Sequence, residues 1–358
     1  MAKARLCCGT CFGDRFLRKH IAAVSAQSGT CSYCGTPKTP LIDPGQLADK
    51  FGLLINIYVP ATDGKFLVEW LKEDWELFHH ERLDISRSKD LLGEVLDDGN
   101  IVRERFAPSP RYQSDRLNKW EKLREELMYK NRYFPSDLLD EDRLEELLSQ
   151  LIAEDVPATW HRARLQTTDR PYPIAEMGAP PKRLASHGRA NPAGIPYLYL
   201  GSTPETAASE VRPHTGEVAC VADFTLPDDL KIIDLRSPRR LVSPFVLAVE
   251  DDIGLLRSDI GFLERLGMEL TTPIVPQGAP IDYVPSQYLC EFIKNCDYDG
   301  VIYRSSVSEG MNLALFTPDK AVAGTVQQYS IEKVSVTVAA KGAGKRKGPP
   351  ALRKQGKK

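Results

Sequence analysis

An α+β fold, preceded by a small cysteine-rich module and a helical domain, is what this sequence predicts. Three observations predict it. Five of the eight cysteines fall within the first 34 residues. Apolar residues then recur at helical spacing over roughly 45–155. Beyond Pro157, short β-type runs alternate with helical stretches and with Pro- and Gly-rich turns.

The cysteines read Cys7-Cys8-Gly9-Thr10-Cys11, then nineteen residues, then Cys31-Ser32-Tyr33-Cys34-Gly35. Two Cys-x-x-Cys units at this separation point to Zn²⁺, because a knuckle turn aims both thiolates of each pair at one tetrahedral ion. Cys8, Cys11, Cys31 and Cys34 are the expected ligands, with Cys7 an open alternative to Cys8. Four thiolates close the coordination sphere, so such an ion is structural. Cys220, Cys290 and Cys296 lie in apolar contexts and read as small core residues.

Pro40, Pro44 and Gly45 end this module, taken as 1–43. The helical domain, 44–158, begins with the apolar spacing of Phe66 to Phe78. A further helix starts near Ser88, its expected cap, and a charged periodic one runs from Ser114 to Lys130. The clearest helix starts at Asp140, with Leu144, Leu147, Leu148 and Leu151 on one face. In the third region, 159–335, β-type runs fall at 197–200, 218–225, 230–235, 300–303 and 312–316. Helical stretches at 203–211, 244–266 and 286–294 lie between them.

The net charge of −2 conceals an uneven distribution. Lys341, Lys345, Arg346, Lys347, Arg353, Lys354, Lys357 and Lys358 crowd the C-terminus, and without them residues 1–340 carry −10. An acidic body argues against a broad nucleic-acid-binding surface. The tail, 336–358, is too polar to bury a core and is expected to be disordered, with at most weak polyanion contacts. The longest apolar run is about nine residues against the roughly 20 of a membrane helix. The first residues carry no secretory-type hydrophobic segment, so the chain is expected in the cytoplasm.

The residues that carry chemistry cluster in the third region. Gly188-Arg189-Ala190-Asn191-Pro192-Ala193-Gly194-Ile195-Pro196 is a loop where backbone approaches a ligand closely. It leads into a strand ending Tyr199-Leu200-Gly201, and Pro204 starts a helix that carries Glu210 behind the small residues Ala207, Ala208 and Ser209. Downstream, Asp299-Gly300-Val301-Ile302-Tyr303-Arg304 ends in the hydroxyls of Ser305 and Ser306. His187 and His214 flank these residues, and Gln287 lies on the helix that feeds the Ser305 strand.

This string, Gly-Arg-x-Asn-Pro-x-Gly-x-Pro-x-Leu-Tyr-Leu followed by Pro-Glu-Thr-Ala-x-x-Glu, resembles the RES domain, named for its Arg, Glu and Ser. The resemblance implies a fold related to the ADP-ribosyltransferases and a toxin that consumes NAD⁺. Arg189, Tyr199, Glu210 and Ser305 match the family's site residues, with Asn191, Gln287 and Ser306 as substrate contacts. The front end resembles the zinc-binding, HEPN-type accessory domain of some RES proteins, but the Arg-x4–6-His ribonuclease motif is not evident between 45 and 155. The resemblance further implies release of nicotinamide from NAD⁺ by phosphate or water, an antitoxin partner and a homo-oligomer. The residue types suit that chemistry. A carboxylate stabilises an oxocarbenium-like transition state, an arginine grips pyrophosphate or phosphate, a tyrosine packs nicotinamide or ribose, and a serine orients an amide or phosphate. Two other readings stay open: an ADP-ribosyltransferase acting on a macromolecule, and a catalytically inactive zinc-module binding protein.

Overall fold

Helix caps and short antiparallel pairs shape the start of the chain. In the computed structural model, which describes residues 4–136, 138–275, 277–335 and 338, helix α1 (Arg15–Val24) begins where the Asp14 carboxylate accepts from Leu17 N at 2.7 Å. Strands β1 (Gln27–Gly29) and β2 (Thr39–Leu41) pair antiparallel and bracket the second cysteine pair. The basic tail expected at 336–358 lies, apart from residue 338, outside the described residues.

The region 44–158 contains α2 (Ala48–Ile55), α3 (Leu67–Trp75), α4 (Ile85–Leu96), α5 (Arg116–Tyr129) and α6 (Glu141–Ser149). Leu144, Leu147, Leu148 and Leu151 are all buried, as their spacing predicts. Two details differ from the sequence reading. Asp84, not Ser88, caps α4; Ser88 sits one turn inside and donates its hydroxyl to the Asp84 carbonyl. A two-stranded ribbon, β3 (Tyr58–Phe66) with β4 (Arg105–Pro108), spans a wide sequence gap that local periodicity does not reveal.

The remaining chain builds a seven-stranded sheet. Its elements are β5 (Thr159–Leu165), β6 (Leu198–Gly201), α7 (Pro204–Glu210), β7 (Val218–Thr225), β8 (Ile232–Asp234), α8 (Pro238–Leu241), α9 (Glu250–Thr271), α10 (Ala279–Asp282), α11 (Val284–Asn295), β9 (Gly300–Arg304), β10 (Met311–Leu315) and β11 (Val322–Ser330). The strand order is β11-β7-β5-β6-β10-β9-β8, antiparallel throughout except for β8 with β9. This is a mixed α/β architecture. Two strands were not expected, β5 because His161, Arg162 and Arg164 mask its period, and β11 because it is almost wholly exposed. The helix expected from 244 starts only at Glu250, since Pro244 opens a separate 3-10 turn.

Helices α9 and α11 pack on β9 and also on α5, so they lie between the sheet and the N-terminal helices. One apolar core runs from Phe12 and Phe51 through Phe245 to Leu256, Leu263 and Leu289. Buried ion pairs cross the same boundary. Asp259 on α9 is fully buried and accepts from Arg116 Nη1 at 3.0 Å and from Arg143 Nη2 at 3.2 Å. Glu269 accepts from Trp120 Nε1 at 3.0 Å and Arg124 Nε at 3.1 Å. Cys220 and Cys290 are buried as expected, whereas Cys296 is half-buried. Among the described residues no helix is long and apolar enough to cross a membrane.

Candidate active site

The loop before β6 is shaped by polar side chains that turn inward. Tyr199 OH donates to Asn191 Oδ1 at 2.7 Å and accepts from Ala190 N at 2.9 Å. The Asn191 amide then donates to the carbonyls of Ser186, Pro192 and Ile195. From α11, Gln287 Nε2 donates to the carbonyls of Gly188 and Asn191 at 2.8 and 3.0 Å, and Ser286 Oγ donates to the Arg189 carbonyl at 2.6 Å. Gly188 is required here, since a Cβ would stand 2.3 Å from both Tyr199 OH and Asn191 Oδ1. Burial, above all, drives the Tyr199 phenol far above its ordinary pKa, so it remains a donor. Asn191 and Gln287, expected to touch substrate, are therefore loop anchors: both are buried, and neither lines the cavity described below.

The anchored loop presents Arg189. Its Nη1 donates to the Thr272 carbonyl at the C-terminal end of α9 at 2.7 Å, and Nη2 lies 3.5 Å from Ser306 Oγ. The Tyr283 ring is 5.5 Å from the guanidinium. No carboxylate pairs with Arg189 among the described residues, which leaves its charge for an anionic ligand.

Glu210 arrives from the other side. Thr203 caps α7, its Oγ1 accepting from Thr206 N at 3.1 Å. Gly201 lets α7 sit directly on β6, because a Cβ there would meet Ala207 N at 2.6 Å. The last residue of α7 thus lands over β10. Glu210 Oε1 accepts from Asn312 Nδ2 at 2.6 Å and from Ser305 Oγ at 2.7 Å. Ser305 Oγ in turn accepts from the backbone N–H groups of Val307 and Ser308.

Arg189, Tyr199, Glu210 and Ser306 line one cavity of about 490 Å³, and His187 lines it too. Ser305 faces a neighbouring cavity of about 690 Å³, so its bond to Glu210 bridges the wall between the two. His214 lines neither. Two residues that sequence reasoning missed also line the first cavity. Asn312 holds Glu210, and its Oδ1 is buried with no partner. Arg162 enters where β5 and β6 splay after their one paired position, His161 with Gly201. Arg162 Nη1 reaches the Tyr199 carbonyl at 3.3 Å, while Nε is buried and unpartnered. Burial, with Arg164 adding to it, lowers the Arg162 pKa, yet a guanidinium stays charged. Buried polar atoms without a protein partner call for another one, such as a bound water, ion or ligand. The signal for Arg162 was a charged residue inside a strand, visible only once β5 is recognised.

A second constellation lies at the N-terminus. The thiols of Cys8, Cys11, Cys31 and Cys34 are buried, and all four sulfurs lie within 4.8 Å of one another. Cys8 Sγ is 3.5 Å from Cys34 Sγ, and Cys11 Sγ is 3.3 Å from Cys31 Sγ. Zn–S bonds of 2.3 Å in a tetrahedron place sulfurs about 3.8 Å apart, so the donor set fits Zn²⁺. Cys7 stands outside the group and pairs its backbone with Ile42. Gly35 adopts φ +73°, as the knuckle turn requires, and its missing side chain leaves room for Arg82.

The site is thus a cavity of about 490 Å³ on one face of a largely antiparallel sheet, with Arg189 in its lining and a clamped carboxylate in its wall. Residues 159–337, half of the chain, match the model of the RES domain, and the chain belongs to that family. Among solved structures, the chain is similar to one from the crystal structure of the M. tuberculosis MbcT–MbcA toxin–antitoxin complex. The two share 14% identity with a TM-score of 0.32, over 52% of this chain and 92% of that one. No curated protein matches the chain.

Proposed function

We propose that the protein is an enzyme that cleaves the glycosidic bond of NAD⁺ and releases nicotinamide, and that this activity arrests growth as a toxin or defence effector. The observation that carries the reading is Glu210, clamped by Ser305 and Asn312 in the wall of a cavity that also holds Arg189 and Arg162. Membership in the RES family supports it, and by the resemblance Arg189, Glu210 and Ser305 match the Arg, Glu and Ser for which the family is named.

The chemistry follows from the charges. Breaking the bond between C1′ of the ribose and the nicotinamide nitrogen builds positive charge on the sugar. A carboxylate whose oxygen is fixed by two donors is preorganised to stabilise that charge. Arg189 and Arg162 are cations without carboxylate partners among the described residues, suited to the pyrophosphate. The ring face of Tyr199 packs ribose or nicotinamide, since its hydroxyl is occupied by the loop. Zn²⁺ on the four cysteines fixes the N-terminal module and takes no part in this step. An antitoxin partner belongs to the same reading.

Expression of the intact chain should lower cellular NAD⁺ and stop growth, whereas the Glu210→Gln form should do neither. In vitro, dependence on inorganic phosphate indicates phosphorolysis and independence indicates hydrolysis. Release that requires a protein acceptor indicates ADP-ribosyl transfer. Intact NAD⁺ under all three conditions leaves the chain a binding protein.

A further inference from the structure

The sheet register sets out a transverse row of side chains that runs through Asn312. His161 on β5 is opposite Asp223 on β7 and opposite Gly201 on β6. Gly201 is opposite Asn312 on β10, which is opposite Tyr303 on β9. Directly paired residues project to the same face. Asp223, His161, Gly201, Asn312 and Tyr303 therefore form one line across the sheet, on the face that α7 covers. Gly201 contributes no side chain, and Ala207 of α7 packs on it, with His161 on one side and Asn312, carrying Glu210, on the other. His161 and Asn312 both line the 490 Å³ cavity.

The imidazole is oriented. His161 Nδ1 lies 2.9 Å from Asp223 Oδ1, and Thr325 Oγ1 holds the other Asp223 oxygen at 3.4 Å. A carboxylate at Nδ1 takes its N–H, so in the neutral ring Nε2 is the acceptor. Among the described residues Nε2 has no partner. The charged and titratable groups that share the cavity with the ring are Arg162 beside it on β5, His187 and Arg189 on the loop before β6, Glu210 at the end of α7 and Arg212 just after it, and the phenols of Tyr199, Tyr283 and Tyr303.

Resting on the NAD⁺-cleaving reading, we propose that His161, positioned by Asp223, is the general base that deprotonates the oxygen nucleophile. The nucleophile is an O–H group, either water or a phosphate hydroxyl. Nε2 takes its proton as its oxygen bonds to C1′. The C1′–N bond breaks, its electron pair passes to the ring nitrogen, and nicotinamide leaves neutral. The product is ADP-ribose from water or ADP-ribose 1″-phosphate from phosphate, and the proton on His161 is later lost to solvent. Glu210 stabilises the sugar from another part of the same cavity lining, so the two groups divide the work. A base that sits apart from the electrostatic carboxylate explains why Glu210 can spend both donor contacts on being held still.

The test uses the full chain, NAD⁺ and nicotinamide release across pH 5.5 to 8.5, with and without inorganic phosphate. His161→Asn and His161→Gln, each checked for an unchanged melting temperature, should lower kcat by about 10²-fold or more. KM for NAD⁺ should stay within a few-fold. The acid limb of the wild-type pH profile should be absent from both variants. Added imidazole should restore part of the rate, and Asp223→Asn should lower kcat while keeping an acid limb. A rate indifferent to phosphate identifies water, and a saturable phosphate requirement identifies phosphate; the base serves either. Near wild-type kcat in both variants, or an acid limb that persists in them, overturns the proposal while NAD⁺ cleavage stands. A wild type that leaves NAD⁺ intact overturns the parent reading, and the base falls with it.

Discussion

Ser305 Oγ donates to Glu210 Oε1 at 2.7 Å, joining the loop after β9 to the end of α7 across the wall between two cavities. The same hydroxyl accepts from Val307 N and Ser308 N. One serine thus orders its own loop and the carboxylate together. Hydrogen bonds to charged groups contribute about 1.5–3 kcal/mol. Ser305→Ala should therefore slow nicotinamide release by about 10-fold or more, with KM for NAD⁺ little changed, since Asn312 still holds Glu210 but the loop loses its tie. Steady-state kinetics of this variant check the point, and an unchanged kcat removes Ser305 from the clamp.

Arg189 is held by a carbonyl and by weak contacts with Ser306 and Tyr283. Arg189→Ala should raise KM for NAD⁺ and lower kcat, because phosphate contacts persist from the bound state into the transition state. Arg189→Lys should fail to restore either constant, since an ammonium cannot reproduce the two-pronged donor geometry. Full rescue by lysine would show that charge alone suffices.

Much of this site is legible in the sequence, and the reason is local. Arg189, Tyr199 and Glu210 lie within one loop–strand–helix unit, where Gly201 and Pro204 mark the turn, so spacing alone aligns them. Ser305 is distant in sequence but marked by the strand that ends beside it. The missed residues depend on sheet register. Arg162 and His161 sit in a strand whose charge hides its period, and Asn312 reads as an ordinary strand residue until β6 is laid beside β10. Asn191 and Gln287 carry the opposite lesson. The resemblance implied that they touch ligand, but the backbone carbonyls of the Arg189 loop take up their amides. The continuity of the core across the N-terminal helices was likewise invisible, because it depends on which face α9 turns to each neighbour.

That continuity has an energetic marker in Asp259, which is fully buried between Arg116 and Arg143. Removing one member of a buried, hydrogen-bonded ion group costs about 3–5 kcal/mol, because the remaining charges stay buried. Asp259→Ala should lower the melting temperature sharply without altering the cavity residues. For the same reason the 159–335 segment alone should be insoluble, as it leaves Asp259 and Glu269 without their N-terminal arginines and uncovers Phe245, whose ring packs on Phe51. A soluble, cooperatively melting fragment would show that the N-terminal helices are dispensable for folding.

The four clustered thiols should bind one Zn²⁺ per chain, measured by elemental analysis of purified protein. Cys31→Ser should release the metal and loosen the N-terminal module, because metal affinity is folding energy in such small units. Cys7→Ser should retain it, since Cys7 lies outside the cluster. Metal-free wild-type protein, or metal loss from Cys7→Ser equal to that from Cys31→Ser, contradicts the assignment.

The most direct measurement is nicotinamide release from saturating NAD⁺ by the full-length wild type and by Glu210→Gln, with NAD⁺ affinity determined alongside. Glutamine keeps the size of the side chain and deletes its charge, so the comparison isolates the electrostatic role of the carboxylate. The wild type should release nicotinamide, and Glu210→Gln should do so about 10²–10³-fold more slowly while binding NAD⁺ with similar affinity. A Glu210→Gln rate within a few-fold of wild type, or a wild type that leaves NAD⁺ intact, would contradict the account.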